Sequence, residues 1–107
     1  MSTDLTNQNC QACSGNTPKF NEKQISKHLS NLDNWSVNEE QKMIFKKFKF
    51  KTFNGALNFT NQVGHLAEEE GHHPDISLGW GYALIMLHTH SINGLSINDF
   101  ILAAKID

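Results

Sequence analysis

Histidine is the residue type whose placement in this sequence indicates chemistry. Four of the six histidines lie between residues 72 and 90, close to the acidic run Glu68–Glu70 and to one of the two prolines. An imidazole has an unperturbed pKa of about 6.5, so it can give or take a proton near neutral pH, and it is also a common metal ligand. The cluster therefore predicts acid–base catalysis or metal binding.

The first part of the cluster lies at the predicted end of a helix. Glu68 comes four residues before His72, so one turn would bring its carboxylate towards that imidazole. His73 precedes Pro74, and a residue before proline favours extended backbone. We therefore expect the chain to leave the helix between the two histidines, so that their rings approach one pocket from different angles.

The second part of the cluster lies on a predicted strand and at the start of the last helix. His88 and His90 share one face of the strand because side chains alternate, although each alone is also typical of a polar residue near an edge. Asp99 follows Ser96 by three residues, which is a capping-box position that favours a helix start with or without chemistry. Both interpretations of Asp99 stay open.

Hydrophobic periodicity predicts the elements that position these residues. Asn21 and Gln24 resemble a capping box that begins a short helix. After Thr52, apolar residues at helical spacing predict a long amphipathic helix that ends at Gly71. Two hairpins and a last helix complete the prediction: Trp35–Val37 with Met43–Phe50, Asp75–Trp80 with Gly81–Thr89, and a helix that begins near Ser96.

This order predicts an α+β domain with a four-stranded antiparallel sheet and three helices packed on one face, in the order α-β-β-α-β-β-α. The 107 residues suffice for one core. We expect residues 18–107 to form that single domain and residues 1–17 to form a flexible N-terminal arm. Cys10 and Cys13 have a spacing that can supply half a zinc site or a redox pair, and we interpret them as reduced thiols on the arm.

Composition argues against several classes of protein. All nine basic residues are lysines and the net charge is -2, whereas arginine is the residue best suited to phosphate and base-edge contacts. In the basic segment Lys42–Lys51, three lysines share the solvated face of a strand, opposite the apolar Ile44, Phe48 and Phe50: Lys47, Lys49 and Lys51. We prefer this interpretation to a platform for single-stranded nucleic acid, so no nucleic-acid partner is expected. The chain lacks the roughly 18 consecutive apolar residues of a membrane span, and its first residues lack a secretory signal pattern, so a cytoplasmic location is expected.

The candidate functional residues together resemble the signature of the pterin-4a-carbinolamine dehydratases. The match covers seven positions within 32 residues: Glu68, His72, His73, Pro74, Trp80, His90 and Asp99. The segments Phe59–Gly64 and Gly94–Ile101 reinforce it, and the cysteine-containing arm resembles bacterial members. His88 departs from the family, whose members carry serine, threonine or an aromatic residue there.

The resemblance implies an enzyme that converts a 4a-hydroxytetrahydropterin to quinonoid dihydropterin and water, in tetrahydrobiopterin recycling, with neither metal nor cofactor. It implies proton transfer by His72 and His90 and binding of the pterin by His73. Dehydration needs one proton delivered to the 4a-hydroxyl and one removed from N5, which acid and base alone can perform.

Three further residues receive supporting or substrate-binding roles from the resemblance. Glu68 would orient His72, and Trp80 would pack near the pocket. Asp99 would hold His90 or cap the last helix.

Two other functions stay open. The cluster offers five nitrogen and oxygen ligands for zinc or iron, which would make a metal-dependent enzyme: Glu68, His72, His73, His88 and His90. A non-catalytic dimerisation or interaction module is the other, although no surface for it is identifiable. A homodimer or homotetramer is expected through an exposed edge strand. A functional link to an aromatic amino-acid hydroxylase or to a molybdopterin-related pathway is also left open.

Overall fold

The computed structural model describes residues 3–11 and 15–107. Its elements in chain order are α1 (Thr3–Thr6), α2 (Glu22–Leu29), β1 (Ser36–Val37), β2 (Ile44–Lys49), α3 (Phe53–Glu70), β3 (Asp75–Gly79), β4 (Tyr82–Leu87), a 3-10 turn (His90–Ile92) and α4 (Ile97–Ile106). The predicted α+β class and the order α-β-β-α-β-β-α from α2 to α4 are confirmed.

Side-chain caps begin the three longer helices. The Asn21 carboxamide oxygen accepts the Gln24 N–H at 2.9 Å, and the Gln24 side chain accepts the Asn21 N–H at 2.9 Å. Thr52 Oγ1 accepts the Gly55 N–H at 3.0 Å, which begins α3. These contacts satisfy backbone donors that have no partner inside the helix, so the caps fix where each helix starts.

The four strands pair antiparallel in the order β1-β2-β4-β3. In β4, Ala83, Ile85 and Leu87 are fully buried, whereas the alternate residues are only half-buried. Ile85 and Leu87 belong to one hydrophobic core with Val63 of α3 and Phe100 of α4. The helices therefore cover one face of the sheet.

Two turns determine the backbone conformation next to the histidine cluster. Gly71 has φ 65° and its N–H donates to the last carbonyls of α3, so the chain reverses directly before His72. A left-handed residue at this position is what ends many helices, and glycine adopts it without steric cost. Beyond β4, Thr89 N–H donates to Gly94 O at 2.8 Å, which closes the loop of residues 89–94.

This loop corrects the predicted extent of the last strand. The strand was predicted to continue to Thr89, but β4 ends at Leu87. A 3-10 turn begins soon after it, at His90. Asn93 takes a left-handed conformation with φ 50°, which lets the turn close. The alternation that would place His88 and His90 on one strand face therefore does not hold.

Residues 3–11, part of the predicted arm, contact the folded domain. Leu5 of α1 is 5% exposed and belongs to the core cluster. The Gln11 N–H donates to Asn98 Oδ1 at 3.0 Å, and Asn98 Nδ2 donates back to the Gln11 carbonyl at 2.7 Å. One apolar anchor and these backbone contacts give no periodic signal, so sequence patterning could not predict them. Cys13 lies outside the described residues, and the domain boundary at residue 18 stays a prediction.

Among the described residues, no helix has the length and apolar character needed to cross a membrane. The cytoplasmic location stays a prediction.

Candidate active site

All four histidines of the cluster line one open pocket. It has a volume of about 320 Å³ and is lined by residues 71–75, between α3 and β3, and by residues 88–91, after β4. This volume is at the lower end of the range for small-molecule sites. The reversal at Gly71 and the closed loop after β4 bring the two segments together.

His72 is the buried histidine of the pocket. It is 6% exposed, and its Nε2 lies 2.6 Å from Oδ1 of Asp99, which is fully buried. A buried carboxylate in this position holds the imidazole ring in one orientation. The structure therefore corrects two expected contacts: Asp99 holds His72, not His90, and Glu68 does not contact His72.

The second oxygen of Asp99 is also engaged. Oδ2 accepts the Thr89 hydroxyl at 2.8 Å and the Ser96 N–H at 3.0 Å. Because the Thr89 proton goes to Asp99, the Ser96 hydroxyl donates to Thr89 Oγ1 across 2.9 Å. Asp99 thus accepts the Ser96 N–H at the start of α4 and contacts the pocket histidine His72 at the same time, so capping the helix does not prevent a contact in the site.

His73 is paired with Glu68 at the rim of the pocket. The His73 Nε2 contacts Oε1 of Glu68, and the two side chains are 60% and 78% exposed. Gly71 reverses the chain and directs His72 into the core, which leaves His73 next to the last turn of α3. An ion pair this exposed contributes little to stability.

His88 and His90 form the opposite wall. His88 Nε2 lies 3.2 Å from His90 Nδ1, and the two ring centroids are 4.0 Å apart. Oδ2 of Asp75 lies 3.9 Å from His88 Nδ1. His90 reaches the pocket from the 3-10 turn and is exposed.

Sequence reasoning missed Asp75 and Thr89 as members of the site. Asp75 directly follows the His-His-Pro segment and begins β3, and that position was the available signal. Thr89 is 1% exposed and reaches Asp99. A single threonine after an apolar strand has no distinguishing pattern, so no signal could have found it.

Trp80 does not line the pocket. It is 71% exposed in the β3–β4 turn. Asp75 is the pocket residue nearest to Trp80 along this segment of the chain. The strand β3 separates Asp75 from Trp80 by about 16 Å, at roughly 3.3 Å per residue.

The fold and the pocket define a class of small α+β domains in which several histidines and a buried His–Asp pair surround one small-molecule cavity. Residues 18–107 match the family model described as pterin 4 alpha carbinolamine dehydratase. The chain belongs to this family, which confirms the resemblance seen in its sequence.

Relatives match over almost the full length. A Halorhodospira halophila protein is 46% identical over 103 residues, covering 96% of this chain and 94% of the relative. A Rickettsia canadensis protein is 45% identical over 106 residues, covering 98% and 96%. Both carry the provisional name pterin-4-alpha-carbinolamine dehydratase.

Two solved structures are similar in fold. A transcriptional coactivator/pterin dehydratase from Brucella melitensis superposes with a TM-score of 0.79 and 31% identity, over 83% of this chain and 95% of the other. A pterin dehydratase-like protein identified as a RuBisCO assembly factor in the alpha-carboxysome gives a TM-score of 0.59 and 27% identity, over 69% and 86%.

Proposed function

We propose that this protein dehydrates a 4a-hydroxytetrahydropterin by histidine acid–base catalysis. The observation that carries the proposal is that His72, His73 and His90 reach one pocket from two separate segments. In the reaction, the 4a-hydroxyl is protonated and leaves as water, the N5 proton is removed, and a C4a=N5 double bond forms. The product is the quinonoid dihydropterin, and no electrons are transferred to an acceptor.

His72 and His90 are the proposed proton-transfer pair, with one proton moved by each ring. The two side chains differ in environment: His72 is buried against Asp99, whereas His90 is exposed. Each ring must alternate between its protonated and neutral forms during a turnover. The Asp99 carboxylate compensates the positive charge whenever His72 carries the extra proton, as the aspartate of a catalytic triad does.

His73 is proposed to bind and orient the pterin. Its ring stands at the rim of the pocket, and its contact with Glu68 limits rotation of the imidazole. The proposed role of Glu68 therefore shifts from positioning His72 to positioning His73. Loss of this contact should weaken substrate binding more than it slows the chemical step.

The test measures the absorbance change as chemically generated 4a-hydroxytetrahydropterin dehydrates with and without the protein. His72→Ala and His90→Ala should each lower the turnover rate by on the order of 10². His65→Ala is the matched control, because His65 is exposed on α3 and does not line the pocket. Turnover close to wild type in both pocket variants would contradict the assignment.

A non-catalytic interaction module is the second candidate. The observation in its favour is the similarity to a protein identified as a RuBisCO assembly factor. One fold can carry unrelated functions, so the pocket chemistry must decide between them. If folded protein gives no acceleration at all, the interaction module becomes the better explanation.

The outer edge of β3 offers a surface for self-association. Within residues 3–11 and 15–107, no strand pairs with the outer edge of β3, and Trp80 is exposed beside it. We therefore propose a homodimer or homotetramer through this edge. An aromatic amino-acid hydroxylase that releases a 4a-hydroxytetrahydropterin in the cytoplasm would supply the substrate for tetrahydrobiopterin recycling.

A further inference from the structure

Asp75, His88 and His90 form a group whose geometry is that of metal ligands. Each offers one ligand atom, and these atoms lie within 4.8 Å of one another. His88 Nε2 and His90 Nδ1 are 3.2 Å apart. Two nitrogens that bind one tetrahedral zinc ion at roughly 2.0–2.1 Å lie about 3.3 Å from each other, so the histidine pair already has the required spacing.

A strand pair and a closed loop hold these three residues close together. Asp75 pairs in register with Met86 near the end of β4, and His88 directly follows the last residue of that strand. His90 is returned towards His88 by the 3-10 turn, which the bridge between Thr89 and Gly94 closes. Ligands held by a strand pair and a closed loop need little rearrangement to bind an ion.

The ligand types indicate the class of ion. Two imidazoles and one carboxylate suit zinc and neighbouring first-row divalent ions, whereas magnesium and calcium prefer oxygen ligands. The Asp75 side chain is 60% exposed, so it can rotate towards the histidines, and His88 is 20% exposed. An ion can therefore enter from solvent through the open pocket.

This set differs from the ligands expected from the sequence. Glu68 contacts His73, and His72 contacts Asp99, so these side chains do not converge with His88 and His90. Among the described residues, the group able to surround one ion consists of Asp75, His88 and His90.

We propose that Asp75, His88 and His90 bind one divalent transition-metal ion of the zinc type at the wall of the pocket. The bound ion occupies Nδ1 of His90, which lies 3.2 Å from Nε2 of His88. A consequence, which rests on the proposed function, is that the ion inhibits dehydration, because it fixes the His90 side chain and takes up space at the wall of the pocket that would bind the pterin.

Zinc binding is measured first, independently of activity, by competition of the purified full chain with a chromophoric zinc chelator. The wild-type chain should bind one zinc ion. His88→Ser and Asp75→Asn should each lower the affinity by at least about tenfold, since even residues behind metal ligands commonly contribute that much. The control His65→Ala should keep the wild-type affinity. Absence of stoichiometric binding, or equal affinity in His88→Ser, would overturn the site.

The cysteines are the alternative zinc ligands and need their own variant. A chain with Cys10→Ser and Cys13→Ser should retain the zinc affinity, and loss of binding in that chain would overturn the proposal. Cobalt(II) provides a second readout, because its visible absorption distinguishes nitrogen and oxygen ligands from thiolates. The expected spectrum has no thiolate charge-transfer band.

Inhibition is tested by adding zinc to the dehydration assay and comparing each protein with its own zinc-free rate. Wild-type turnover should fall with the occupancy measured in the chelator competition, and His88→Ser should need at least about tenfold more zinc. Zinc binding without loss of turnover would overturn the inhibition and leave the metal site standing. A chain with no turnover would refute the proposed function, while the chelator competition would still decide the metal site.

Discussion

The Asp99 carboxylate serves the stability of α4 and the orientation of His72 with separate oxygen atoms. Oδ1 meets His72 at 2.6 Å, and Oδ2 accepts the Ser96 N–H at 3.0 Å. In Asp99→Asn, one of these partners must face an amide group that donates instead of accepting. We expect turnover to fall at least about tenfold and the melting temperature to fall as well.

Ser96→Ala is the matched control for this variant. It removes the hydroxyl that accepts the Asn98 N–H at 3.3 Å and donates to Thr89 Oγ1 at 2.9 Å, but it leaves the contact between Asp99 and His72. Its cost should be about 1 kcal/mol of stability, with much smaller loss of turnover. Normal turnover in Asp99→Asn with reduced thermal stability would show that Asp99 only caps the helix.

The Cys10 thiol should be chemically inert in the folded protein. Burial, and then the negative charge of Glu70, raise its pKa from 9.0 to about 12. At about pH 8 this shift of three units lowers the thiolate fraction about a thousandfold, and only the thiolate is alkylated. A Cys13→Ser chain should therefore react with iodoacetamide far more slowly when folded than in denaturant. Equal rates in the two states would refute the shift.

At the scale of elements, α3 and α4 are joined by an ion pair next to the N-terminal segment. Lys105 Nζ lies 2.8 Å from Glu70 Oε2, with side chains 15% and 10% exposed. Glu70 Oε1 also accepts the Cys10 N–H at 2.9 Å. The hydrogen bond from Lys105 and then that from Cys10 hold the pKa of Glu70 below its usual 4.5.

This pair makes the stability depend on pH in a defined direction. Because the folded pKa lies below the unfolded one, the contribution of Glu70 is present above pH 4.5 and is lost as the pH falls through the folded pKa. Glu70→Gln should cost about 1–3 kcal/mol near neutral pH and progressively less in acid. Melting curves against pH measure this, with exposed Glu69→Gln as the control. A cost that does not change with pH would contradict the linkage.

The elements were predictable where a local pattern decides them. The capping box at Asn21, the helical spacing after Thr52 and the left-handed end at Gly71 each set one boundary, and the structure has all three. The end of β4 was predicted two residues too late, because the predicted strand included His88 and Thr89 beyond the apolar run that ends at Leu87. The left-handed Asn93 and the bridge between Thr89 and Gly94 close a loop there instead, and residue type alone does not specify a left-handed asparagine.

The histidines that line the pocket were predictable from the sequence, but their contacts were not. The spacing of His72 and His73 indicates a pocket, yet it does not say which ring enters the core. The reversal at Gly71 decides that, and it pairs His72 with Asp99 and His73 with Glu68. The residue that each histidine contacts could therefore be identified only from the three-dimensional structure.

At the scale of the whole molecule, the free edge of β3 is the surface that should govern assembly. Ser77 is exposed at the centre of this strand, whose inner edge pairs with β4. A two-fold pairing of β3 with its copy would place both Ser77 side chains near the axis. Ser77→Lys would then bring two positive charges together, and charged edge residues are a common means of preventing strand pairing.

Sedimentation at matched concentrations tests this expectation. The wild-type chain should sediment as a dimer or tetramer, and Ser77→Lys should shift it towards the monomer. Asn31→Lys adds the same charge on the exposed loop after α2 and should leave assembly unchanged. A strictly monomeric wild type at high concentration would contradict the proposed interface. Equal dissociation by both lysine variants would instead indicate a general effect of net charge, because only a local effect depends on where the charge lies.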